Sequence, residues 1–112
     1  MTNTRSEDQT KTQNDITLTI PQGASVQGNP AYQPNPISVK KGDTIAVKNT
    51  DSSPHTVTNG ERAGEPNAGQ LFDTSIINAG ESANIVTANL NPGDYPFFCM
   101  VHPYMKGTWK VQ

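Results

Sequence analysis

Short runs of alternating hydrophobic and polar residues dominate the chain. Ile16, Leu18 and Ile20 fall on one face with threonines between them, the period of a half-buried strand, and Pro21-Gln22-Gly23 ends the run. Ile37 and Val39 repeat the pattern. Lys40-Lys41-Gly42-Asp43 then makes a polar turn with solvated lysines, and Ile45 and Val47 point inward from a strand over 44–49, which predicts a hairpin or a sandwich corner. Further on, Leu71, Phe72, Ile76 and Ile77 form a short apolar stretch. A strand is predicted over 82–88 with Ile85 and Val86 as its apolar centre. Residues 95–100 place Tyr95, Phe97 and Cys99 on one face and Phe98 and Met100 on the other, and Trp109 lies in the core of a closing strand.

The intervening segments are rich in turn formers. Residues 27–36 contain three prolines, cannot sustain a sheet ladder, and are expected to be a loop with Tyr32 as a packing anchor. Residues 59–70 read as a polar, glycine-containing surface loop, and Asn78-Ala79-Gly80-Glu81 and Asn91-Pro92-Gly93-Asp94 as turns. Seven or eight short strands follow, with no helix of useful length and no internal repeat. The expected fold is all-β, an antiparallel sandwich or Greek-key barrel.

Composition narrows this picture. With 112 residues the chain is one domain, 16–112, preceded by a polar lead-in over 1–15 that lacks apolar periodicity and is expected to be flexible. The lead-in has no apolar stretch of the signal-peptide kind. It therefore reads as a mature end or a trimmed soluble domain, behind either a cleaved signal or a membrane anchor. No run approaches the roughly 18 apolar residues of a membrane helix. A formal charge of −2 with no basic stripe gives no footprint for nucleic acid. A single cysteine excludes an internal disulfide and any four-cysteine or CxxC zinc site.

That cysteine has informative neighbours. In Cys99-Met100-Val101-His102-Pro103-Tyr104-Met105 a thiol, an imidazole and a thioether follow one another with two residues between each. Such a soft, mixed donor set suits copper best, whereas a thioether contributes little to zinc. The chain has one other histidine, His55, which Ser53-Pro54 delivers to the head of the β-branched run Thr56-Val57-Thr58. If His55 returns to the same point, the set becomes two histidines and a cysteine in a plane with Met105 on the axis. Met100 is a rival for the axis by proximity, but strand alternation points it away from the face of Cys99. With no second cysteine, a binuclear thiolate-bridged copper centre has no ligands. No general base or spare carboxylate cluster stands beside the set, which favours an electron carrier over an enzyme.

The segment 94–111, with 37–45 and 53–57, resembles the amicyanin- and plastocyanin-like cupredoxins, and the tight Cys-x-x-His-x-x-Met loop is similar to that of amicyanin in particular, plastocyanin having a longer His-to-Met spacing. The resemblance implies an eight-stranded Greek-key sandwich holding one type 1 copper, with His55, Cys99 and His102 as equatorial ligands and Met105 as the axial one. It implies a monomeric one-electron carrier outside the cytoplasm, periplasmic or on the cell surface, with the N-terminal tail able to serve as a membrane tether. Redox protein partners would dock near His102, on a port including Pro103, Tyr104 and Pro54. The alternative function is direct reaction of the copper with a small redox molecule such as a nitrogen oxide. Several Met and His sites would mark a copper store, and this chain has too few. Where the family has asparagine after the first histidine, this chain has Thr56, so the tie between the two ligand loops is expected to differ.

Overall fold

The computed structural model describes residues 15–112; the lead-in expected over 1–15 lies outside these, apart from Asp15. Among the described residues there are seven strands and no helix, hence none long and apolar enough to cross a membrane. The strands are β1 (Asp15–Ile20), β2 (Ile37–Val39), β3 (Thr44–Asn49), β4 (Thr58–Asn59), β5 (Ser82–Val86), β6 (Gly93–Phe98) and β7 (Lys106–Val111).

They form two sheets, one ordered β1-β3-β5 and the other β2-β7-β6-β4. The expected all-β sandwich forms, with sheets that are not wholly antiparallel. β1 runs parallel to β3 and β2 parallel to β7, while the remaining pairs are antiparallel, so both sheets are mixed. The turn at 40–43 is a sandwich corner, because β2 joins one sheet and β3 the other. Gly42 there has φ of +101°, which a side chain would resist, and Thr87 pins the turn by donating its hydroxyl to the Asp43 carbonyl at 2.8 Å.

Leu18, Ile20, Ile45, Val47 and Ile85 from the first sheet and Ile37, Val39, Phe97, Trp109 and Val111 from the second share one buried cluster. Trp109 is its largest member and packs its ring against Phe72 and Phe97 at centroid distances of 4.3 and 4.7 Å. Tyr32, the expected anchor, meets Phe97 edge-on at 4.8 Å. Gly107 lies opposite Phe97 in the ladder. A Cβ on Gly107 would fall 2.5 Å from the Phe97 ring, so the close approach of ring to backbone requires glycine.

Burial departs from hydrophobicity at three places. Val86 is 60 % exposed although it neighbours buried Ile85. β5 is an edge strand with one face on the core, so alternation sends Ser82, Asn84 and Val86 outward. The strand also stops at Val86 rather than Ala88. In the 71–77 stretch only Phe72 and Ile77 are buried, while Leu71 and Ile76 face solvent. Phe98, opposite in direction to Phe97, is nonetheless fully buried, so β6 is covered on both faces at its C-terminal end.

Candidate metal centre

β6 ends at Phe98 and delivers Cys99 into a loop that closes on itself. The Cys99 N–H donates to the Met105 carbonyl at 3.1 Å, and the Met105 N–H donates to the His102 carbonyl at 2.8 Å. His55 comes from the other side of the sandwich end. Its backbone forms an isolated two-bond bridge with Ile77, at 3.1 and 2.8 Å. Asn49, the last residue of β3, holds both strands of this bridge, donating its side-chain amide to the Ser53 and Ile77 carbonyls at 2.9 Å each.

These backbones bring three donor atoms together. Cys99 Sγ is 3.7 Å from His55 Nδ1 and 3.9 Å from His102 Nδ1, and the ligand atoms of all three residues lie within 4.8 Å of one another. Metal–sulfur and metal–nitrogen bonds of about 2.3 and 2.0 Å opened to about 120° would separate sulfur from nitrogen by roughly 3.7 Å. The two sulfur–nitrogen distances therefore fit one ion in a near-trigonal plane. His55 and Cys99 are fully buried and His102 is half-buried. Burial, with His55 alongside, pushes His102 below the usual imidazole value and favours the neutral form that can ligate. Met105 is buried at the far end of the loop, whereas Met100 is 51 % exposed.

Thr56 ties the two ligand segments together. Its backbone N–H donates to Cys99 Sγ at 3.4 Å, and its hydroxyl accepts the Met100 N–H at 2.9 Å. The same hydroxyl is 2.9 Å from that of Thr58, which donates to Asp73 Oδ1 at 3.1 Å. The link between the two segments is thus made here by a hydroxyl chain.

The loop 21–36 supplies no donor to the cluster but braces it at three points. The Tyr32 hydroxyl donates to the Thr56 carbonyl at 2.8 Å, and burial, with Cys99 nearby, raises the phenol far above its usual range, so it remains a donor. The Tyr104 hydroxyl donates to the Ser25 carbonyl. The Gly23 N–H donates to Asp51 Oδ1 at 3.0 Å. Asp51, in sequence only one polar residue of a turn, is the site residue that pattern reading missed. Its Oδ2 lies 2.7 Å from His55 Nε2 in a buried pair. Burial opposes ionisation, yet hydrogen bonds from His55, Gly23 and Ser52 together outweigh it and hold the carboxyl down to about 2. The one available signal was an aspartate four residues before a candidate ligand histidine.

Comparison with known proteins agrees with this geometry. The purple cupredoxin from Nitrosopumilus maritimus superposes with a TM-score of 0.75 at 29 % identity, covering 88 % of this chain and all of the other. A proline-to-alanine variant of oxidized amicyanin gives 0.66 at 23 % identity, covering 89 % of this chain and 84 % of its own. A reduced Cu(I) form of another amicyanin variant at pH 4 gives 0.65 at 22 %, covering 88 % and 82 %. The amicyanin likeness is one of fold. No curated protein matches by sequence. The family description "Cupredoxin-like domain" matches residues 1–111, and with its two mixed sheets and its His-Cys-His cluster the chain belongs to the cupredoxin-like domain family.

Proposed function

We propose that this chain is a mononuclear type 1 copper protein that carries one electron at a time between redox proteins. The observation that carries the reading is the convergence of His55 Nδ1, Cys99 Sγ and His102 Nδ1 at spacings suited to one trigonal ion. These residues would be the equatorial ligands and Met105, buried at the loop's end, the axial one. When bound, copper would supply a Cu(II)/Cu(I) couple.

The protein's part is to hold the donors still. His55 is fixed through Ile77, Cys99 through Met105 and Thr56, and His102 through the loop carbonyl, so a change of oxidation state would require little movement. His102 is the half-buried ligand, and Met100, Val101 and Tyr104 beside it are exposed and uncharged. An apolar rim around one imidazole edge suits brief docking of another redox protein, and Pro103 and Pro54, both exposed, extend it. The family places such a carrier outside the cytoplasm, and the same is proposed here, as a monomer.

Direct reaction with a nitrogen oxide would need an open face at the metal. Full burial of His55 and Cys99 favours the carrier over that alternative. Loading the protein with one equivalent of Cu(II) tests the reading: an intense thiolate-to-copper band in the visible range is expected, unchanged by added nitrite, azide or nitric oxide. A copper protein without that band overturns the type 1 assignment, and a band that shifts with small ligands replaces the carrier by the reactive site.

A further inference from the structure

Asp51 does more than fill a turn. It is 5 % exposed, and its carboxylate collects two donors: His55 Nε2 on Oδ2 at 2.7 Å and the Gly23 N–H on Oδ1 at 3.0 Å. Its position is fixed from its own turn as well, because the Asp51 N–H donates to Asn49 Oδ1 at 3.0 Å. An ionised carboxylate can only accept hydrogen bonds, so the His55 proton must sit on Nε2. That leaves the Nδ1 lone pair directed to the side where Cys99 Sγ lies 3.7 Å away. A carboxylate behind a ligating imidazole also raises its basicity.

We infer that Asp51 is a positioning residue that selects the metal-binding tautomer of His55 and, through its buried negative charge, lowers the reduction potential of the copper site. The inference rests on the type 1 copper reading for its second half only. The physical cause is charge. Cys99 thiolate and Asp51 carboxylate are two anions on opposite sides of the His55 ring, and a site so provided favours the doubly charged ion over the singly charged one. The loop 21–36 contributes no ligand, yet through Gly23 it fixes the carboxylate in place.

Asp51→Asn is nearly isosteric and can still accept from Nε2, so it removes the charge while leaving a hydrogen bond available. In the copper-loaded protein it is expected to shift the Cu(I):Cu(II) preference at least tenfold toward Cu(I), a rise in potential of about 59 mV for a one-electron couple. The visible band is retained. Asp51→Glu, which keeps the charge, is expected to return the potential toward that of the unsubstituted protein. A potential that moves by less than twofold in preference, in a folded Asp51→Asn protein with the band intact, overturns the charge effect.

A second measurement needs no variant and no metal. Nitrogen-15 spectra of the copper-free protein at neutral pH are expected to show His55 as the Nε2–H tautomer, with that proton protected from exchange. An Nδ1–H tautomer, or an even mixture, overturns the positioning role. If the unsubstituted protein takes up no copper, the function reading and the potential effect fail together, while the tautomer result still decides the rest.

Discussion

Replacing Thr56 by valine keeps the shape of the side chain and deletes its hydroxyl. The hydrogen-bond directions around that hydroxyl are determined from the outside inward. Asp73 can only accept, so Thr58 donates to it; Thr58 must then accept from Thr56, which leaves Thr56 lone pairs for the Met100 N–H. Thr56→Val therefore removes two hydrogen bonds and strands the Met100 N–H beside Cys99. Two net bonds at roughly 0.5–1.5 kcal/mol each give an expected loss of about 1–3 kcal/mol. The backbone N–H to Cys99 Sγ is unaffected, so copper uptake should persist. Urea unfolding of the copper-free protein, followed by the emission of Trp109, the only tryptophan and fully buried, measures the change. Thr56→Ser, which keeps the hydroxyl, should retain most of the stability. In a double-mutant cycle Thr56→Val and Thr58→Val should couple by more than about 0.5 kcal/mol. Additive effects, or a loss below about 0.5 kcal/mol for Thr56→Val, would refute the chain.

Gly107→Ala should destabilise by about 1–3 kcal/mol in the same urea assay, because its Cβ would meet the Phe97 ring at 2.5 Å and that ring is held between Tyr32 and Trp109. The Asp51 carboxyl, held below its ordinary 3.8 at about 2, stabilises the fold fully above the higher value and loses that contribution as pH falls toward the lower. Copper-free Asp51→Asn should consequently lose less stability than the parent between pH 4 and pH 2, measured by urea midpoints at each pH.

The parts of the fold visible in sequence are those where one periodicity decides the outcome. Leu18, Ile20, Ile45 and Val47 alternate and are fully buried, and Trp109 could hardly be elsewhere than in the core. Sheet membership was not legible, since Ile37 and Val39 pair with Trp109 and Val111 from the far end of the chain, a choice made by packing rather than by local pattern. Val86 shows the same limit: an apolar residue on an edge strand obeys the alternation of its strand before its own hydrophobicity. Cys99 and His102 announce themselves by spacing, and His55 by being the only other imidazole. Asp51 does not, because an aspartate in a turn is what any turn would contain. Only the return of Gly23 and His55 to the same carboxylate gives it a role.

The loop 21–36 offers no electron pair to the cluster, yet Gly23, Ser25 and Tyr32 touch the surroundings of His55, the ligand loop and Thr56 in turn. Transplanting residues 99–105 into a foreign sandwich would move three of the four proposed ligands and leave this brace behind. The grafted segment would keep its composition and lose the Ser25 carbonyl that anchors Tyr104. Natural variation within 21–36 would accordingly be transmitted to the donors as a change in their freedom rather than in their identity, which makes this stretch the place where related chains with the same four residues can diverge in behaviour.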